Sequence, residues 1–294
     1  MKLAAIDIGS NAARLLITEV VTDNNNVTHF NKLNLIRVPL RLGFDVFEST
    51  SISKTKLVML MQTMKAFKHL CNAYEVDHIK ACATSAMRDA KNSNDIIRKV
   101  KLETDIEIEV ISGDYEAGLI YENHIAENMD KDHSYLYIDV GGGSTELTFF
   151  SNGILIYKKS FNIGTIRLLK NLVEEKQWDE MKEVLRAITK GHKEVVAIGS
   201  GGNINKVFSM SKRKDGKSLP IELLRDYYKE LSAVTVADRI DVYGLRADRA
   251  DVIVPALQIY ISVMRWAGAE EIYVPKIGLA DGLIHHLYEE VNNK

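Results

Sequence analysis

The sequence predicts an α/β protein built from two similar domains, and three observations carry that prediction. The chain has 294 residues, and at about 150 residues per domain that length suits two. Short apolar runs alternate with longer stretches whose apolar residues recur every three or four positions, the mixture of strands and helices of an α/β fold. Ile6-Asp7-Ile8-Gly9 returns as Ile138-Asp139-Val140-Gly141. Each copy closes a strand, turns on glycine and leads into another apolar run, which points to a duplication.

Leu3 to Ile8 is a short apolar run ending in the turn Gly9-Ser10-Asn11, so it reads as a buried strand. Arg14 to Val21 and Asn31 to Leu42 follow as strands, an antiparallel meander that starts a sheet. Ser53 to Tyr74 is a helix: Leu57, Leu60, Met61, Met64 and Cys71 fall on one stripe, and Ser53 is placed to cap it. His78 to Ala83 is a strand and Asn94 to Glu103 a helix. Ile106 to Ile111 alternates apolar and acidic residues, a half-exposed strand, and Asp114 to Asn128 is a helix. The second copy then begins, with strands at Tyr135 to Val140, Thr145 to Phe150 and Ile154 to Phe161. Helices at Thr165 to Val173 and Trp178 to Thr189 lead to a strand at Glu194 to Gly199, and helices at Ile221 to Ser232 and Arg249 to Trp266 complete it. The polar stretch Glu127 to His133 is the expected boundary, giving domain I at residues 1–127 and domain II at 128–278. The last helix, Leu279 to Val291, is expected to pack back on domain I, so that 279–294 joins it.

Composition narrows the function classes. Apolar residues make up 46% and charged residues 27%, and the net charge is −2, the balance of an ordinary globular protein. That balance speaks against a general nucleic-acid binder or a basic membrane-surface protein. The two cysteines, Cys71 and Cys82, are too few for a disulfide framework or a four-cysteine zinc site. Lys2 is followed by only four apolar residues before Asp7, too short for an export signal, and no apolar run reaches the ~20 residues of a membrane helix. A reducing cytoplasm is the expected location.

Three glycine-rich turns follow apolar strands: Gly9-Ser10-Asn11, Gly141-Gly142-Gly143-Ser144-Thr145 and Gly199-Ser200-Gly201-Gly202-Asn203. Glycine lets a backbone approach an anion and aim successive N–H groups at it, and the hydroxyls of Ser10, Ser144 and Thr145 add donors. None has the Gly-Lys-Ser/Thr ending of a P-loop or the GxGxxG spacing of a dinucleotide fold. Asp7 and Asp139 close equivalent strands, and Glu146 stands on the strand after the second turn. Hard oxygen ligands beside phosphate-binding turns suit Mg²⁺. Arg14 and Arg88 are forks for phosphate oxygens. Ile111-Ser112-Gly113-Asp114-Tyr115-Glu116-Ala117 joins a strand to a helix, and a glutamate there is placed to take a proton from water. Lys212 to Lys217 reads as a solvated basic loop, and His285-His286 lacks metal-ligand spacing.

Together these motifs resemble the exopolyphosphatase and guanosine pentaphosphate phosphohydrolase (Ppx/GppA) family of the acetate kinase, sugar kinase, heat-shock protein and actin superfamily. The matching stretches include Ala5 to Asn11, Ala83-Thr84-Ser85-Ala86-Met87-Arg88, Ile111 to Ala117, Ile138 to Leu147, Phe161-Asn162-Ile163-Gly164-Thr165-Ile166-Arg167-Leu168, Arg249 to Pro255 and Gly278-Leu279-Ala280-Asp281-Gly282, in family order across nearly the whole chain. The resemblance implies two actin-like (ribonuclease H-like) domains with a cleft between them. It implies that Glu116 activates water, that Asp139 and Glu146 serve Mg²⁺, and that Ser10, Asn11, Arg88, Gly141, Gly142, Gly143, Ser144 and Thr145 hold phosphates; Asp7 as a further Mg²⁺ ligand and Arg14 as a further phosphate fork are expected from the residues themselves. The implied activity is release of the terminal phosphate of inorganic polyphosphate, with guanosine pentaphosphate as the alternative substrate. A kinase of the same superfamily and a non-catalytic sensor are the remaining alternatives, and Glu116 argues against both. Larger members carry extra helical domains. Here Arg88, Arg14 and the Lys212 to Lys217 loop, or a second subunit of a homodimer, are the expected grips on a long substrate. Where the family usually has two consecutive glutamates, this chain has Tyr115 before Glu116.

Overall fold

A strand covered on both faces must be apolar on both, and Lys2–Ile8 (β1) meets that demand at every buried residue from Leu3 to Ile8 except Asp7. In this computed structural model, which describes residues 1–121, 132–192 and 194–292, β1 is the middle strand of the first of two sheets. Ala13–Thr22 (β2) and Thr28–Val38 (β3) add antiparallel on one side. His78–Ala83 (β4) and Ile108–Val110 (β5) add parallel on the other, giving the order β3-β2-β1-β4-β5. Side chains alternate between the faces. Ala4, Ile6 and Ile8 join a core formed with Leu42–Ser49 (α1), Lys54–Ala73 (α2), Ser85–Asp89 (α3) and Ser93–Thr104 (α4). Leu3 and Ala5 point the other way, into a core closed by Gly113–Tyr121 (α5) and the last helix.

The second sheet repeats the first. Ser134–Val140 (β6) is flanked by antiparallel Thr145–Ser151 (β7) and Ile154–Phe161 (β8), and by parallel Val195–Ser200 (β9). Glu271–Tyr273 (β11) adds parallel to β9, and Leu219–Pro220 (β10) extends the edge, so the order is β10-β11-β9-β6-β7-β8. Leu136, Ile138 and Val140 point into one core with Thr165–Leu169 (α6), Glu175–Thr189 (α7), Gly202–Met210 (α8), Ile221–Ser232 (α9) and Ile253–Ala267 (α12). Val236–Asp241 (α10) and Ala247–Ala250 (α11) precede α12. The chain divides into two compact units, Met1–Asn123 with Leu279–Lys294, and His124–Gly278. The final helix, Leu279–Asn292 (α13), belongs to the first unit, where Leu279, Leu283 and Ile284 cover Leu3, Ala5 and Leu16. The expected boundary at 127–128 and the end of the expected helix Asp114 to Asn128 lie outside the described residues.

Several elements differ from the sequence expectation for identifiable reasons. The third strand stops at Val38 rather than Leu42, because Pro39 has no N–H to continue the ladder, and α1 follows it. The expected helix Arg249 to Trp266 is broken into α11 and α12. In a continuous helix the Pro255 ring would collide with the carbonyl of Asp251, whereas in the first turn of α12 it is tolerated. The strand expected at Ile106 to Ile111 shortens to β5 and the helix at Thr165 to Val173 to α6. Ser53 caps α2 as its sequence suggests, accepting from Lys56 N at 3.3 Å.

Candidate phosphoryl-transfer site

The two repeat-related turns are held in the same way. Gly9 N–H donates to Ala12 O at 3.0 Å, and Gly141 N–H donates to Ser144 O at 2.9 Å. The carbonyls of the second turn are then tied to the start of α6. Gly141 O accepts from Thr165 N at 3.0 Å, Gly142 O from Ile166 N at 2.8 Å, and Gly143 O from Arg167 Nε at 2.7 Å. A trans peptide points its C=O and N–H in opposite directions, and the described chain has no cis bond. The N–H groups of Gly142, Gly143 and Ser144 therefore point away from α6, three in succession, which is the geometry of an anion cradle. Domain I repeats the device: Asn11 O accepts from Arg41 N and Ser10 O from Gly43 N, each at 2.9 Å, at the start of α1. The Gly164 backbone lies so close to the cradle that a Cβ there would sit 2.4 Å from Gly143 C.

The rows of residues beside the turns diverge in charge. In domain I, Asp7 stands opposite Arg14 and beside Cys82. Arg14 Nη1 donates to Asp7 Oδ2 at 2.6 Å, so the buried carboxylate is answered within its own sheet. In domain II the corresponding places hold Asp139 opposite Glu146, with Ser200 on the other side. Directly opposed residues of an antiparallel pair share a face, so two carboxylates lie together where the first domain has an ion pair. Ser160, the next residue in the row, donates to Glu146 Oε1 at 2.7 Å. Tyr260, wholly buried behind them, feels both acids: burial first, then the charge of Asp139, with Glu146 adding, pushes its hydroxyl well above the tyrosine range. Among the described residues no group of three or more His, Cys, Asp or Glu side chains is gathered to hold a metal ion. Two carboxylates nevertheless fit Mg²⁺, which commonly takes one or two and completes its shell with water and substrate oxygens.

Glu116 lies in the first turn of α5 and is 8% exposed. Ser112 starts that helix, its Oγ accepting from Tyr115 N at 3.1 Å and its carbonyl from Glu116 N at 3.0 Å. Arg88 Nη1 donates to Ile111 O at 2.9 Å and so fastens α3 to the same segment. Glu116 and Asp7 both act on the buried Cys82 thiol, which burial first, and Glu109, Asp7 and Glu116 after it, push up to about 12. Ser10 Oγ pairs with Ser85 Oγ at 2.8 Å. The Thr145 hydroxyl donates to Ile163 O at 2.6 Å and is fully buried, so it ties the turn to the segment between β8 and α6. Arg167, Ser160, Ser85 and Tyr260 carry no signal of their own in the sequence; in the structure they bond to Gly143 O, Glu146 Oε1, Ser10 Oγ and Ser200 O and so brace the turns and acids. Arg249, from a motif singled out in the sequence, donates to Gly202 O within the third turn. Of His285 and His286, the first stacks on Phe30 and the second bonds Tyr115.

The Ppx/GppA phosphatase family profile matches residues 20–291. A bifunctional 3-dehydroquinate synthase/phosphatase of Fusobacterium nucleatum is 29% identical over 99% of the chain and 47% of its own length. A guanosine-5'-triphosphate,3'-diphosphate pyrophosphatase of Aeromonas hydrophila is 25% identical over 97% of the chain and 59% of its own length. The chain thus spans about half to three fifths of these relatives. The crystal structure of an exopolyphosphatase from Cytophaga hutchinsonii superposes with a TM-score of 0.84 at 25% identity, over 100% of this chain and 98% of that one.

Proposed function

Because the chain belongs to the Ppx/GppA phosphatase family, we propose that it hydrolyses the terminal phosphoanhydride bond of inorganic polyphosphate. The observation that carries the reading is the cradle at Gly141 to Ser144, three N–H groups turned outward by carbonyls tied to α6. N–H groups fixed in this way stabilise charge on phosphoryl oxygens without reorganising during reaction. Ser144 adds a hydroxyl to the cradle, and Ser10 and Asn11 supply the equivalent turn in domain I. Arg88 and Arg14 stand as cations for further phosphates of the chain. Glu116 takes the proton of a water as its oxygen bonds to the terminal phosphorus; the bridging P–O bond breaks, and the electron pair leaves on the shortened polyphosphate. The product is inorganic phosphate.

Asp139 and Glu146 are the residues that would hold Mg²⁺. When bound, it would neutralise phosphoryl charge and orient the substrate. Asp7 is not needed for that set, since Arg14 already meets its charge. The test is phosphate release from polyphosphate and from guanosine pentaphosphate, each with Mg²⁺ and with chelator. The reading expects Mg²⁺-dependent release, faster from polyphosphate. Release from neither substrate would overturn the activity, and release from guanosine pentaphosphate alone would overturn the substrate.

A further inference from the structure

The residue that departs from the family pattern, Tyr115, has a defined place. It immediately precedes Glu116, and its ring packs against the α13 side of the domain I core. Its hydroxyl lies 3.0 Å from His286 Nε2, and that same nitrogen lies 3.1 Å from Glu290 Oε1. Lys80 Nζ of β4 donates to the same carboxylate oxygen at 2.7 Å. The Tyr115 hydroxyl and His286 Nε2 are joined by a hydrogen bond, and the Glu290 carboxylate, which when ionised can only accept, lies beside the same nitrogen. The line Tyr115–His286–Glu290–Lys80 joins α5, α13 and β4.

The spacing along α13 supports the same role. Gly282, His286 and Glu290 are four residues apart and share one stripe. At Gly282 the helices approach so closely that a Cβ would lie 2.0 Å from Leu119 O of α5. α5 is therefore gripped at two points, Tyr115 and Leu119, on either side of Glu116. The opposite side of α13 is fixed to β3, by Lys32 to Asp281 at 2.5 Å and by Phe30 against His285 and Tyr288.

We propose that Tyr115 and His286 are positioning residues that set the first turn of α5, and with it the Glu116 carboxylate, from the C-terminal helix. The inference rests on the reading of Glu116 as the group that activates water. Displacing a catalytic group by a fraction of an ångström affects the chemical step more than ground-state binding. Tyr115→Phe keeps the ring and loses the hydroxyl; it should lower kcat for polyphosphate about tenfold, with KM within about twofold and an unchanged melting temperature. His286→Leu should do the same, and His286→Gln, which restores a donor at similar reach, should recover most of the rate. Glu116→Gln, measured alongside, separates the two claims. If it retains full activity, the reading of Glu116 fails. If it is inactive while Tyr115→Phe and His286→Leu keep wild-type kcat, the positioning proposal fails. A fall in melting temperature with kcat unchanged, or a Gln variant no better than Leu, also overturns it.

Discussion

An exchange of charge opposite the strand-end aspartate distinguishes the two repeats. The place opposite the strand-end aspartate is Arg14 in domain I and Glu146 in domain II. Asp7 is neutralised by its neighbour, whereas Asp139 faces a second acid, and this is where a divalent cation lowers the electrostatic cost most. Asp139→Asn should raise the Mg²⁺ concentration for half-maximal rate severalfold. Asp7→Asn should leave that concentration unchanged, whatever it does to the rate, and Mg²⁺ titration of the two variants side by side checks this. The cysteines give a second residue-level expectation. Burial pushes Cys71 to about 11 and Cys82 to about 12 from an ordinary 9.0. Between these values the unfolded chain has lost thiol protons that the folded chain keeps. Stability is therefore unaffected by these groups below pH 9 and falls as pH rises from there toward 12. Melting temperatures across that range should decline, less steeply in Cys82→Ala after allowance for its lost packing. At pH 8, thiol reagents should leave both cysteines unmodified in the folded protein.

At the scale of elements, α6 supports the turn proposed to cradle phosphate, because its first residues and Arg167 hold the carbonyls of three consecutive glycines. Gly164→Ala would place a Cβ 2.5 Å from Gly142 O and 2.4 Å from Gly143 C, so the turn or the helix must move. The expected result is a loss of polyphosphate turnover of ~10-fold or more with a drop in stability of about 1–3 kcal/mol, measured by phosphate release and denaturant unfolding. The regular elements were legible in the sequence wherever one period dominated. β1 and β6 are apolar runs but for their aspartates, β4 alternates polar with apolar, and Ser53 announces α2. Short elements set by tertiary contact were not: α3 and α8 each begin at a turn that the sequence shows only as small residues. The broken helix at Asp251 was missed because its apolar period continues through the break, and only Pro255 betrays it.

Across the whole molecule, duplication explains both the architecture and the way the site is built. Two sheets share one strand order apart from the added edge strand β10, and each carries a glycine turn after its central strand. Ile6-Asp7-Ile8-Gly9 and its later copy made that repeat visible in the sequence. What spacing alone could not show was the division of labour, because the identity of a cross-strand partner depends on register. Arg14 and Glu146 become counterparts only when β1 pairs with β2 and β6 with β7. Likewise nothing near Tyr115 in the sequence points to His286, which lies 171 residues away. No helix among the described residues is long and apolar enough to cross a membrane. The central claim is that Glu116 drives hydrolysis of polyphosphate. Its most direct test is single-turnover phosphate release by the full chain and its Glu116→Gln variant, at saturating polyphosphate and Mg²⁺. The account predicts release slowed by ~10²–10⁴-fold with polyphosphate binding retained; equal rates for the two proteins would contradict it.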